Sequence, residues 1–147
     1  MEKIDLDEAV KKFKPIPGCI IDSPDDDALI KNWKAVVGSA EARKDRGIVY
    51  IWRTTKPIAR LKGESPILYI GKTVNSLFDR HYGYAKIEVK SAYNGPRLKH
   101  ILKEIGSIEM LVCLSSEFGL DPKKAEEALL IAYYDRHYEL PPFNRMS

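Results

Sequence analysis

The chain has 147 residues, of which 44% are hydrophobic and 31% charged, and its formal net charge is +3. These values are typical of one ordinary globular domain and exclude disordered and collagen-like proteins. No run of about 18 apolar residues occurs, so we expect no membrane-spanning helix. The charged first 14 residues do not resemble a secretory signal. Cys19 and Cys113 match neither a disulfide framework nor a zinc motif, which favours a reducing cytosol.

The first 46 residues predict two helices separated by a short strand. Residues 5–13 have helical apolar spacing with Asp5 as N-cap, and residues 19–21 form an apolar run suited to an edge strand. Ser23 as cap and Pro24 at the first position predict a second helix that ends at Gly38. The composition changes at the charged connector 41–46. We therefore expect an N-terminal extension over residues 1–46 and a second domain over 47–147.

The second region predicts the order strand, strand, helix, helix, strand, helix. The elements are strands 47–52 and 67–70, helices 75–84 and 97–105, strand 108–114, and a helix that starts at Asp121 and Pro122 and stops before Pro141 and Pro142. Asn75 is the expected cap of the first of these helices. A basic loop containing Gly and Pro joins the first two strands. This pattern indicates an antiparallel hairpin with a long, exposed tip.

The positive charge is concentrated in one part of the chain. From Arg53 to Lys103, eleven basic residues accompany three acidic ones. A basic stretch of this kind attracts phosphate backbones. On charge alone, however, a solvated basic surface is the better explanation. Walker, GxGxxG, HExxH and CxxC motifs do not occur in the sequence, which removes several common nucleotide and metal sites.

Several polar residues and tyrosines stand at the ends of predicted elements. They are Tyr50, the run Tyr69-Ile70-Gly71-Lys72, Arg80, Glu126, Glu127 and Asn144. Written as GIVY…YIGK, followed by an arginine, a helical glutamate and Pro-x-Asn, this order resembles the GIY-YIG nuclease superfamily. The resemblance covers residues 47–147. It implies an α+β fold: a small three-stranded antiparallel sheet flanked by helices, here preceded by a mostly helical N-terminal extension.

Members of that superfamily cut phosphodiester bonds with one divalent metal, and the resemblance implies a role for each matching residue. Glu127 would hold Mg²⁺ or Mn²⁺. Glu126 fits the same pattern, and since a helix turns about 100° per residue, one of the two must point away. Arg80 would clamp the scissile phosphate with its planar guanidinium. Tyr50 would be the general base for the attacking water, which requires a pKa below its usual value.

The remaining matches imply supporting roles. Tyr69 would help hold the water, the backbone around Gly71 would approach the phosphate, and Asn144 would brace the site. The role of His81, directly after Arg80, stays open because the superfamily's histidine usually lies a few residues later. If Val49 rather than Tyr50 occupied the tyrosine position, the base would be missing.

The resemblance therefore predicts a cytoplasmic Mg²⁺-dependent endonuclease of restriction, repair or phage type, acting on double-stranded DNA, in a bacterial, archaeal or phage context. Residues 53–62 and 86–103 would hold DNA, with contacts from Arg53, Gly71, Lys72, Tyr93, Asn94, Arg97, Lys99 and His100. Cutting both strands would require a homodimer or two sequential nicks. The alternatives are a nucleic-acid-binding module without cleavage on the same fold, and a protein-interaction domain with no salt-dependent DNA binding.

Overall fold

A computed structural model describes residues 3–16, 20–82 and 89–144, which form an α+β fold with a four-stranded antiparallel sheet and six α-helices. In chain order, the elements are α1 (Leu6–Val10), β1 (Lys14–Pro15), α2 (Asp26–Val37), α3 (Ala40–Lys44), β2 (Ile48–Ala59), β3 (Glu64–Thr73), α4 (Leu77–His81), α5 (Asn94–Glu104), β4 (Ile108–Leu114), a 3₁₀ turn (Ser115–Phe118) and α6 (Pro122–His137). Within these ranges, each helix is too short or too polar to cross a membrane.

The sheet has four strands in the order β1-β4-β2-β3, where three were expected. The additional strand is β1, whose Lys14 and Pro15 pair with β4 directly after the predicted helix 5–13. Proline is compatible with this position because β1 is an edge strand. The expected strand 19–21 contributes one bridge, from Ile21 to Ile108, while Cys19 lies outside the described residues. The N-terminal segment therefore contains helices and also completes the sheet.

The hairpin of β2 and β3 is longer than predicted. The expected basic loop is mostly strand, because β2 continues to Ala59 and β3 begins at Glu64, which leaves residues 60–63 as the tip. Beyond Trp52 the register shifts twice, and most side chains of that stretch are exposed. Pairing with β3 resumes at Ile58, and the residues between the buried Thr54 and the partly buried Ile58 are exposed. Apolar alternation, the usual sequence signal of a strand, is consequently absent.

Three local predictions in the helices were wrong by a few residues. Asp25 caps α2 in place of Ser23, and Ser76 caps α4 in place of Asn75; each side chain accepts a hydrogen bond from the backbone three positions on. The expected connector 41–46 contains helix α3, which is capped by Ser39. By contrast, β4 spans the predicted residues and Asp121 caps α6 as expected.

Buried side chains form one hydrophobic cluster on each face of the sheet. We call the face with Tyr50 and Trp52 the tyrosine face; α2, α4 and α5 cover it. The opposite face, with Val49 and Ile51, is called the aliphatic face and is covered by α1 and α6. Residues before position 47 belong to both clusters, with Trp33 on the tyrosine face. Residues 1–46 and 47–147 thus both contribute side chains to each cluster.

Candidate active site

The centre of the candidate site is a buried pair formed by Tyr50 and His81. Tyr50 lies near the start of β2 and is 1% exposed, and its hydroxyl lies 2.7 Å from Nε2 of His81 at the end of α4. The two rings meet edge to face, with 4.9 Å between centroids. Ser76 fixes the start of α4 and thereby the direction from which His81 enters. The histidine whose role the sequence left open is therefore a direct partner of the expected base.

Gly71 makes room for Tyr50. The register of β2 and β3 pairs these two residues across the strands. A Cβ atom at position 71 would lie 2.4 Å from Cζ of Tyr50, closer than nonbonded carbon atoms approach. Any side chain at Gly71 would displace the phenol ring. Val49 belongs to the aliphatic cluster, whereas Tyr50 lies beside Gly71 on the other face of the sheet.

Tyr69 and Trp52 extend the aromatic wall around Tyr50. Tyr69 pairs with Trp52 across the strands, with 4.6 Å between ring centroids, and its ring lies 5.9 Å from that of Tyr50. Trp33 of α2 packs edge-on against Trp52 at 4.9 Å. Neither tryptophan was among the predicted site residues. Trp52 could have been included, because it is two residues from Tyr50 and the period of a strand places it on the same face. Trp33 carried no comparable signal.

The protonation of the pair differs from the expectation. Burial, followed by the neighbouring Tyr69, raises the pKa of Tyr50 far above its usual value, although the positive charge of Arg80 opposes this rise. The expected lowering of that pKa was therefore wrong. Burial, with a smaller contribution from Arg80, lowers the pKa of His81 to about 3. At neutral pH the pair is a neutral phenol bonded to a neutral imidazole.

Of the two adjacent glutamates on α6, Glu126 is the one whose charge reaches Tyr50. Glu126 is partly buried, and burial raises its pKa, while Lys72 acts in the opposite direction and Glu127 adds to the rise. The negative charge of Glu126 in turn raises the pKa of Tyr50. Glu127 is exposed, on the side of α6 that carries the half-exposed Ile131. The two carboxylates diverge because they are adjacent on a helix, and Glu126 is the one whose charge acts on Tyr50.

Asn144 braces the site through the backbone of β3. Its side-chain Oδ1 accepts a hydrogen bond from Ile70 N at 2.9 Å, and its Nδ2 donates one to Ile70 O at 2.8 Å. Phe143 N donates to Leu68 O at 2.9 Å. The segment after α6 therefore satisfies the open edge of β3 directly before Gly71. The bracing expected of Asn144 would act through these two hydrogen bonds to Ile70.

Three of the expected DNA-contacting side chains are engaged elsewhere in the protein. Arg53 forms an ion pair with Glu109, and Lys99 forms one with Asp26. Arg97 donates to the carbonyl of Pro142, while His100 is exposed on α5 and Tyr93 is exposed just before it. Asn94 begins that helix, and Lys86 lies outside the described residues. The structure thus brings Lys72 close to Glu126 but does not gather Arg53, Arg97 and Lys99 around Tyr50.

A metal site built by the protein alone is not evident in the described part of the chain. Residues 3–16, 20–82 and 89–144 contain no group of three His, Cys, Asp or Glu side chains that could hold a metal ion. Glu126 is a single carboxylate next to Lys72 and Glu127. A magnesium ion there would need ligands from water and from a substrate, which is a common arrangement for this metal.

Comparison with known proteins adds no support to the resemblance. The chain matches no protein-family model, and no curated protein or solved structure matches it.

Proposed function

We propose that the protein is a metal-dependent endonuclease that hydrolyses phosphodiester bonds in DNA. The observation that carries this proposal is the buried Tyr50–His81 hydrogen bond over Gly71, with the charges of Arg80 and Glu126 both acting on Tyr50. Titratable groups with shifted pKa values in one place are typical of catalytic sites. The same residues occur in the order that resembles the GIY-YIG superfamily.

Tyr50 would act as a proton relay to His81. At pH 7 His81 is neutral, and its Nε2 accepts the hydrogen bond of the phenol when the ring proton is on Nδ1. Because a pKa of about 3 makes this imidazole a weak base, the negative charge of a bound phosphate would have to stabilise the imidazolium as the proton arrives. The Tyr50 oxygen would then take a proton from the attacking water as it releases its own. Because both transfers occur together, a free phenolate never has to accumulate. The high pKa of Tyr50 is compatible with this route.

Arg80 and Glu126 would act on the phosphate. Arg80 is exposed beside His81, where a guanidinium can bind two phosphate oxygens at once. Glu126 suits a divalent cation because burial disfavours its lone negative charge, and it would hold the Mg²⁺ or Mn²⁺ that Glu127 was expected to hold. When bound, the metal would neutralise the phosphate and stabilise the leaving oxygen.

A second candidate is a nucleic-acid-binding module that does not cleave. The near-complete burial of Tyr50 favours it, because a general base must reach the water that it activates. No specific observation of this kind favours a protein-interaction domain. The two candidates differ in one property that can be measured, metal-dependent cutting.

The test is incubation of the purified protein with supercoiled plasmid in Mg²⁺, in Mn²⁺ and in EDTA. The wild type is expected to nick or linearise the plasmid only with metal. Glu126→Gln should slow cutting by at least about a hundredfold, since several kcal/mol of charge stabilisation is lost. Glu127→Gln is the matched control and should cut like the wild type. Salt-dependent binding without cutting in any metal would instead identify the non-cleaving module.

A further inference from the structure

Two clefts meet beside the candidate site. The first, of about 570 Å³, is lined by Tyr134 and Tyr138 and also by Asn144. The second, of about 370 Å³, is largely apolar and lined by Ile58 and Phe143. Arg60 and Arg97 line both clefts. We call the joined depression the C-terminal groove, and its size lies in the range of ordinary ligand sites.

The middle of the C-terminal groove is positively charged. Arg60 pairs with Glu139 at 2.7 Å and donates to Leu140 O at 2.7 Å. Arg97 has no carboxylate partner among the described residues; its guanidinium lies over the ring of Phe143, with 4.6 Å to the centroid. These contacts hold the two guanidinium groups in place and leave the charge of Arg97 uncompensated. A phosphate is the anion that such a group prefers.

The first cleft also offers exposed aromatic surface. Tyr134 is 51% exposed, and Tyr138 follows it one helical turn later, with Lys62 Nζ 4.7 Å from its ring centroid. Cationic side chains with an exposed aromatic ring are the standard elements of single-strand binding, because an unpaired base stacks on the ring while its phosphate meets the cation. Bases within a duplex are already stacked on each other. The chemistry of the groove therefore favours a single strand.

The groove is continuous with the candidate site. Asn144 lines the first cleft and holds the backbone of Ile70, next to Gly71. Glu126 and Tyr134 are eight residues apart on α6, which corresponds to about 12 Å along the helix. Eight residues also turn the helix by about 80°, so a strand bound at Glu126 would have to curve around α6 to reach Tyr134.

We propose that the C-terminal groove binds an unpaired DNA strand adjacent to the cleavage site, with a base on Tyr134 and a phosphate at Arg97. This inference rests on the proposed nuclease function, because only a nuclease would use the bound strand as part of its substrate. It narrows the substrate class to DNA that contains an unpaired segment. The binding itself requires neither metal nor cleavage and can be measured separately.

The test is fluorescence-anisotropy titration of fluorescein-labelled oligothymidylate of about 12 nucleotides, and of a labelled duplex of the same length, in EDTA. The wild type should bind the single strand more tightly. Tyr134→Ala should weaken that binding by about 5- to 100-fold, the usual effect of removing one stacked aromatic side chain, and leave duplex binding unchanged. Tyr134→Phe keeps the ring and should bind like the wild type. Ile131→Ala, on the same exposed face one turn earlier, is the positional control.

Equal affinity for duplex and single strand, or full single-strand affinity in Tyr134→Ala, would overturn the inference. So would the absence of binding to the labelled single strand. None of these results would alter metal-dependent plasmid cutting, which tests the nuclease proposal. Single-strand binding through Tyr134 without any cutting would retain the groove and refute the nuclease.

Discussion

The two faces of the central sheet differ in how they hold their buried polar rings. The aliphatic face packs side chains such as Ile51, Leu111 and Leu129, and its buried Tyr133 lies near His137, whose Nδ1 is 2.9 Å from the carbonyl oxygen of Lys62. On the tyrosine face, which is as well buried, the phenol of Tyr50 is hydrogen-bonded directly to His81. Burial of polar groups costs free energy unless they are hydrogen-bonded, and a hydrophobic pair would avoid this cost. Both faces thus bury a tyrosine and a histidine, but on the tyrosine face the phenol and the imidazole are bonded to each other, while on the aliphatic face the imidazole is bonded to the backbone.

The helices that cover the two faces also differ in whether they contact the candidate site. On the tyrosine face, Trp33 of α2 contacts both Trp52 and His81, with 6.5 Å between the ring centroids of Trp33 and His81. The N-terminal segment thereby forms part of the wall around the candidate site. On the aliphatic face, α1 packs against α6 without contacting Tyr50 or His81. The comparison between the faces leads to four predictions, from the largest expected effect to the smallest.

The largest effect should come from removing a large buried side chain from each face. Trp33→Ala is expected to lower the free energy of unfolding by about 3–5 kcal/mol, and Leu129→Ala by about 2–5 kcal/mol, because both leave cavities. Urea denaturation measures both values. Only Trp33→Ala should also shift the His81 signals in a histidine NMR spectrum. Equal histidine spectra in the two variants would contradict the difference between the faces.

A side chain at Gly71 should be nearly as harmful. In Gly71→Ala the new Cβ meets the ring of Tyr50, so we expect a loss of about 1–3 kcal/mol from overpacking. The double variant Gly71→Ala/Tyr50→Ala should recover part of that loss relative to the sum of the single changes. Denaturation of all four proteins in this cycle provides the measurement. Simple additivity would show that the two residues do not touch.

The stability of the protein should fall in acid partly through His81. An unfolded histidine binds a proton below about pH 6.5, whereas the folded His81, with a pKa of about 3, does not. The unfolded state therefore binds one more proton between pH 6.5 and 3. The free energy of unfolding should decrease by about 1.4 kcal/mol per pH unit as the pH falls through this window. The stability returns as the pH rises above 6.5.

Comparison of variants isolates this contribution from that of the carboxylates. His81→Gln should remove the extra acid sensitivity, measured as thermal unfolding across pH 4 to 7 in about half-unit steps. His100→Gln, at an exposed position, should behave like the wild type. Identical pH profiles for His81→Gln and the wild type would refute the buried, neutral state of His81.

The smallest effect concerns the edge of β3. Asn144→Ala removes two hydrogen bonds to Ile70, and we expect a loss of about 1–2 kcal/mol. Hydrogen exchange of the Ile70 amide should accelerate, because Asn144 protects it. Asn75→Ala serves as a control at an exposed asparagine. An unchanged exchange rate at Ile70 would remove the bracing role of Asn144.

The sequence by itself determined the elements whose signals are local. Asp121 and Pro122 predict the start of α6, and the β-branched run predicts β4, because caps and apolar runs act within a few residues. It also placed Tyr50, Arg80 and Asn144 in an order that resembles a nuclease. Strand β1 and the distal part of the hairpin were missed, since their stability depends on backbone pairing with distant residues rather than on side-chain pattern.

Only the tertiary structure decided which of these residues meet. The Tyr50–His81 bond joins β2 to α4, and the rotation of α6 against the sheet leaves Glu126 partly buried and Glu127 exposed. The direction of the pKa shift of Tyr50 also follows from burial, which a sequence motif does not specify. Helix caps and apolar runs depend on neighbouring residues and can be predicted from the sequence. Distances, burial and charge at a site arise only when separate elements pack together.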